Sequence, residues 1–274
     1  MQQPFQLNPF FLAAQTAAVV FNIIAPLVIA AIARRRLGVG WRYWGFGALI
    51  FTLFQILTRV PATQVAQMLL APQIQGSQTF AYGWLVVLVV TAGLVEEWGR
   101  YVGYRWLMGK EEKTWPKAVM YGLGHGGIES IVLVGGLGIL GIVNLVALSR
   151  LDLATLPVSE EQRRQVAAQI ANLASQPAWL PLLASWERLC AMALHVGLSV
   201  LVLQSFTQGG LRWVWLSVLL HSLVNLVVVA APLVVGLAGA EAALLQEALM
   251  VPVAALGIAL TLWGRRRGVM SSQF

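Results

Sequence analysis

Charge is scarce in this chain. Asp, Glu, Lys and Arg make up 11% of its 274 residues, where a soluble domain of that size carries roughly a quarter. Such a shortage excludes an ordinary soluble globule. Cysteine is nearly absent as well: Cys190 stands alone in an apolar run, so it can form no internal disulfide and says little about redox compartment. There is no internal repeat and no low-complexity segment. Lysine is confined to Lys110, Lys113 and Lys117, none of them in the last apolar stretch, which sets aside a retinal protein. The opening MQQPFQLNPF lacks a basic n-region and the apolar run after it is too long for an h-region, so no cleavable signal peptide is expected.

What the chain has instead is apolar length. Hydrophobic residues reach 58%, in recurring stretches each long enough to cross a hydrocarbon core of about 30 Å. The expected fold is all-α, a polytopic transmembrane helix bundle in a single domain over 1–274. Seven spans are predicted, at about Phe10–Ala33, Trp44–Leu70, Phe80–Trp98, Ala118–Leu148, Leu180–Phe206, Leu211–Ala230 and Ala242–Trp263. The second is interrupted by Arg59 and Pro61, and the third is expected to continue as helix toward Lys110. A catalytic-like core is expected over about 80–230.

The net charge of +7 is explained by Arg clusters flanking spans, so the expected basic partner is lipid headgroup and not nucleic acid. With the N-terminus outside, thirteen basic residues fall at cytoplasmic span ends (Arg34–Arg36, Arg42, Arg100, Arg105, the three lysines, Arg212 and Arg265–Arg267) against three outside (Arg150, Arg163, Arg164). The C-terminus is then cytoplasmic and the setting a multi-pass plasma-membrane protein. The outer loop over about 150–178 turns polar, and Ser159-Glu160-Glu161-Gln162 has capping-box spacing. A short helix is expected over about Glu160–Ala174 with Val166, Ile170 and Leu173 on one face, either packed on the span ends or gating a site.

Ionisable groups inside a membrane cost about 2.5–3.5 kcal/mol each on insertion scales and usually mark function. Span three ends in Glu96-Glu97-Trp98-Gly99-Arg100, span four carries His125 and Glu129, span five Glu187-Arg188 and His195, and span six His221 and Asn225. His125/Glu129 and His221/Asn225 are each one helical turn apart on one face. At about 1.5 Å per residue, His125 lies roughly 10 Å and His221 roughly 15 Å from the cytoplasmic starts of their spans. Glu96 and His195 lie roughly 23 Å along spans that run the other way. All four fall at one level in the cytoplasmic half. Glu187-Arg188 reads as a structural pair nearer the outer side, the tryptophans and tyrosines at span ends as an interfacial belt, and the glycines of Gly122–Gly141 as close-packing positions.

Neutral imidazoles and a carboxylate are the usual ligands of Zn²⁺, so His125, His195 and His221 are candidate metal ligands. A glutamate nearby would act on water, and Asn225 with an imidazole could donate to a developing oxyanion. A metal-independent mechanism, with two acids and a histidine acting on water directly, fits the same residues.

On these residues the chain resembles the YhfC-type intramembrane metalloproteases, and more distantly the group containing CAAX-prenyl endopeptidases, Abi immunity-type proteins and PrsW. The double glutamate with a following basic residue falls on Glu96-Glu97…Arg100, the second motif on His125…Glu129 and the late His-x-x-x-Asn on His221…Asn225; His195 looks like the additional histidine of the YhfC branch. The resemblance implies that Glu96 or Glu97 activates water, that Glu129 belongs to the site, and that His221 and Asn225 meet the oxyanion or, for His221, hold metal. It implies a substrate that is a membrane-embedded or juxtamembrane protein or peptide. Arg100 lies one residue closer to the double glutamate than in the CAAX pattern, and the second motif holds both His and Glu, which argues against prenyl-protein processing. Two other classes use the same residues: a transporter or proton-coupled permease, and a non-catalytic immunity-type membrane protein.

Overall fold

A computed structural model describes residues 8–150 and 157–271. The first seven residues and the start of the outer loop, 151–156, lie outside that description. The described residues form α1 (Pro9–Leu37), α2 (Trp41–Leu69), a short α3 (Ala71–Gly76), α4 (Gln78–Trp106), α5 (Trp115–Ser149), α6 (Glu160–Ala174), α7 (Leu180–Thr207), α8 (Arg212–Val235) and α9 (Gly239–Ser271). Among them, seven are long and apolar enough to cross a membrane: all but α3 and α6. The helices run past the expected spans at most ends, because the polar flanking turns remain helical.

Local chemistry explains the boundaries. Asn8 caps α1, its Oδ1 accepting the Phe10 N–H at 3.0 Å, with Pro9 in the first turn where no N–H is needed. The helix stops at Gly38, whose φ of +65° suits a residue without a Cβ and returns its N–H to the Arg34 carbonyl. Ser159 and Gln162 form the expected capping box in both directions, and α6 turns Ile170 inward, with Val166 and Leu173 part-buried.

α2 is not interrupted at Arg59 and Pro61. It runs through a π-helical stretch, Thr52–Arg59, and Pro61 follows in the next α-helical turn. A second π stretch, Ser130–Gly136, sits in α5 directly after Glu129. π turns re-aim side chains and occur frequently at functional sites. Arg59 is spent on α4, donating to the Leu88 carbonyl and to Thr91 Oγ1.

α7 is the central helix: 78% of its most apolar window is buried, against 11–28% for the other spans. It packs on α9, α5, α8 and α4. Glycine sets how near the backbones come. A Cβ on Gly257 would strike the Ala193 carbonyl oxygen, and one on Gly122 would lie 2.6 Å from Val196 Cα. A Cβ on Gly124 would strike the Trp44 carbonyl oxygen, so α2 lies directly on α5.

The antiparallel course brings Arg36, Arg42, Lys113, Lys117, Arg212 and Arg265–Arg267 to one end of the bundle, called here the basic end. There Arg42 and Tyr43 bond Glu111 at 2.8 and 2.7 Å, and Trp115 Nε1 donates to the Thr261 carbonyl at 2.8 Å. The interfacial-belt reading fails for Tyr104. Tyr104 is fully buried, stacked on Tyr121 with centroids 4.7 Å apart, and its hydroxyl donates to the Ser199 carbonyl at 3.0 Å.

Candidate metal centre

The four polar patches meet inside the bundle. Glu96 and Glu97 come from α4, His125 and Glu129 from α5, Arg188 and His195 from α7, and His221 and Asn225 from α8. The antiparallel helices bring their mid-sections to one depth, and the closely packed glycine faces draw them together. The ring centroids of His125 and His195 are 4.9 Å apart, and those of His195 and His221 are 5.4 Å apart.

The two adjacent glutamates are used differently. Glu97 is fully buried and both its oxygens are taken up: Arg100 donates Nε at 3.0 Å and Nη2 at 3.2 Å, Ser217 Oγ donates at 2.6 Å, and His221 Nδ1 lies at 2.8 Å. Arg100 is itself fully buried and also donates Nη1 to Ser199 Oγ at 2.5 Å and to the His195 carbonyl at 3.2 Å. This departs from the expectation that either glutamate could act on water, because Glu97 is saturated as an anchor. Among the described residues, no guanidinium pairs with Glu96. Its Oε2 lies 3.1 Å from His125 Nε2 and 3.9 Å from His221 Nε2.

His125 and Glu129 share a helix face but not a partner. His195 Nε2 lies 2.8 Å from Glu129 Oε2, while its Nδ1 faces Arg100 Nη2 at 3.2 Å. Glu129 Oε1 accepts from Arg188 at 2.8 Å, and Arg188 also pairs with Glu187. The Glu187–Arg188 pair is present as expected, and through Glu129 Arg188 also joins the cluster. Its signal was present in the sequence, since an arginine within an apolar span must find an acid and Glu129 needed a cation.

A cavity of about 220 Å³ adjoins the cluster. Glu96, Glu129, Arg188, His195, His221 and Asn225 line it, and Glu97 does not. Gln55 also lines it from the π stretch of α2; it is buried and its Oε1 has no protein partner. Sequence reasoning missed Gln55, whose only signal was a polar residue in an interrupted apolar run. Along each helix, the cavity residues beyond the cluster (Arg188, Val228) lie away from the basic end. On the other side Tyr104, Met108, Met120, Tyr121, Leu203 and Val214 form a buried apolar core that closes the cluster from the basic end.

Side-chain donors suit a transition metal. One ligand atom each from Glu96, His125 and His195 lie within 4.8 Å of one another, all buried. His125 Nδ1 is buried with no partner. His221, whose Nδ1 is held by Glu97, shows the carboxylate–imidazole arrangement common around metal-ligating histidines. A set of imidazole nitrogens and carboxylate oxygen fits Zn²⁺, which takes such ligands at about 2.0–2.2 Å.

Membrane-length helices enclosing a buried acid–imidazole cluster define a polytopic α-helical membrane protein with a candidate metal centre in its interior. The family described as "YhfC intramembrane metalloprotease" matches residues 21–251, a stretch that contains every residue of the cluster. The chain belongs to this family. It is 30% identical over 206 residues to the "Uncharacterized membrane protein YhfC" of Bacillus subtilis (strain 168), covering 74% of this chain and 78% of that protein. No solved structure matches it.

Proposed function

We propose that this protein is an intramembrane metallopeptidase of the plasma membrane, with its N-terminus outside, that hydrolyses a peptide bond of a membrane-embedded or juxtamembrane protein or peptide. The observation that carries the reading is the convergence of Glu96, His125 and His195 donors beside a cavity deep in a helical bundle. Glu96, His125 and His195 would hold Zn²⁺, which supplies Lewis acidity to the scissile carbonyl and to water. His195 would contribute a ring nitrogen to that set, and Arg188 holds Glu129 Oε1 at 2.8 Å so that the Glu129 carboxylate stays beside the cavity.

Glu129 then takes a proton from water and returns it to the leaving nitrogen. Glu97 turns His221 so that Nε2 faces the site, and Asn225 lies one turn along the same helix. Asn225, with the His221 ring held beside it, donates to the carbonyl oxygen as it gains charge. This gives Glu129, rather than Glu96 or Glu97, the work on water. The cavity extends away from the basic end, so the substrate segment reaches the site from the opposite half of the bilayer.

The test is metal analysis alongside cleavage of a transmembrane peptide by purified protein. Wild type is expected to carry stoichiometric zinc; Glu96→Gln and His125→Ala lose zinc and cleavage together, whereas Glu129→Gln keeps zinc and loses cleavage. Full cleavage by metal-free protein, or by all three variants, would overturn the reading.

A further inference from the structure

A second cavity is larger than the one beside the histidines. It lies at the basic end, has a volume of about 600 Å³, and is framed by the C-terminal turns of α1, α7 and α9 and the segment leading into α5. Four of its lining residues are cations, Arg36, Lys113, Arg265 and Arg267, against one acid, Glu112. They come from three separate stretches of chain and converge on one space.

Their partners set them apart from the neighbouring cations. Arg42 and Lys117 at the same end are ion-paired to Glu111 at 2.8 and 3.7 Å. Among the described residues, none of the four pocket cations forms an ion pair with a carboxylate. Lys113 donates to the Gly109 and Glu111 carbonyls at 2.7 and 3.3 Å and lies over the Phe206 ring. Arg267 donates to Gln208 Oε1 at 2.9 Å and lies over the Trp263 ring, while Arg265 lies over Trp115. Rings and neutral acceptors orient Lys113, Arg265 and Arg267, and the four cations outnumber the one acid, Glu112, that shares the cavity. Cations gathered around one cavity repel each other, and an anion seated among them relieves the repulsion.

The walls narrow the class of anion. Leu37, Trp115, Pro116 and Leu203 give the same cavity an apolar side, at the ends of the membrane-length helices α1, α5 and α7. Tryptophan is enriched at such span ends because its ring is apolar and its N–H polar. Basic pockets between transmembrane helices suit phosphate-bearing headgroups. We propose that this cavity is a binding site for a phosphate-bearing anion, held by Arg36, Lys113, Arg265 and Arg267, with the apolar wall receiving the glycerol and first acyl carbons when the phosphate belongs to an anionic phospholipid. The site is separated from the histidine cluster by the buried Tyr104–Tyr121 core, so it stands independently of any peptidase activity.

The experiment is thermal unfolding of the detergent-purified full chain during titration with inorganic phosphate, short-chain phosphatidylglycerol or short-chain phosphatidylcholine. Phosphatidylglycerol is expected to raise the unfolding midpoint saturably and phosphatidylcholine is not. Replacing two of the cations, Arg265→Gln with Arg267→Gln, should weaken binding by about thirtyfold, at about 1 kcal/mol per basic residue near an anionic headgroup. Arg42→Gln, which removes a paired cation outside the cavity, should leave it unchanged. A response to inorganic phosphate as well identifies the source as free phosphate or lipid alike; a response to phosphatidylglycerol alone identifies the lipid, and both support the site. If the double variant does not fold, Arg36→Gln alone is expected to weaken binding about fivefold. Equal response to both lipids, or unchanged phosphatidylglycerol binding in the pocket variants, overturns the proposal.

Discussion

Replacing Arg100 by Met tests the packing around the candidate metal centre most directly. Arg100 and Glu97 have no exposed side-chain surface, and their two contacts at 3.0 and 3.2 Å are those of a bidentate pair. Removing the guanidinium leaves Glu97 buried with only Ser217 and His221 as partners, and strips Ser199 Oγ and the His195 carbonyl of their donor. Breaking a buried pair from one side costs about 3–5 kcal/mol. At roughly 2–4 °C per kcal/mol for a chain of this size, the midpoint should fall by roughly 10 °C. Glu97→Gln should cost a comparable amount, by stranding Arg100. The double variant, with no charge left to bury, should recover part of the loss, with a coupling energy of about 2–3 kcal/mol. The measurement is thermal or denaturant unfolding of all four proteins in one detergent. Single variants within about 1 kcal/mol of wild type, or a strictly additive double variant, would refute the claim that this pair is buried and mutually compensating.

Two further outcomes follow from the same packing. Gln55→Ala should lower kcat/KM for a peptide substrate by about tenfold, the worth of one hydrogen bond to substrate, with bound zinc unchanged; an unaltered kcat/KM would remove Gln55 from the site. Gly257→Ala should destabilise by about 1–3 kcal/mol, because its methyl group meets the Ala193 carbonyl across α7 and α9. Gly83→Ala, with open space around it, should instead be neutral or stabilising by about 0.5–1 kcal/mol, and equal effects in unfolding assays would contradict the close approach of α7 and α9.

Much of the architecture was legible because the bilayer imposes a simple rule on sequence. A span needs about twenty apolar residues, and the chain declares seven such stretches by composition alone. The common depth of His125, His195, His221 and Glu96 followed from counting residues along helices of alternating direction, since the rise per residue is fixed. α6 was readable to its ends, because Ser159 and Gln162 cap it through contacts three residues apart.

Other features depend on contacts that no local pattern carries. Glu96 and Glu97 are neighbours with the same side chain, each within a turn of Arg100 on α4, and only the packing of α5 and α8 sets His125 beside Glu96 and Ser217 with His221 beside Glu97. Tyr104 looks interfacial by position, yet α5 and α7 cover it completely. The π stretch that carries Gln55 does not break α2 as Arg59 and Pro61 suggest. Sequence alone determined that seven helices cross a membrane and that three histidines and a double glutamate lie at one level within it. Tertiary structure alone decided which glutamate is anchored, that Arg188 joins the cluster, and that the cavity extends away from the basic end. The reason is physical: span length and depth are properties of one helix in a bilayer, whereas partner choice among buried charges is set by how neighbouring helices are rotated and how closely glycine lets them pack.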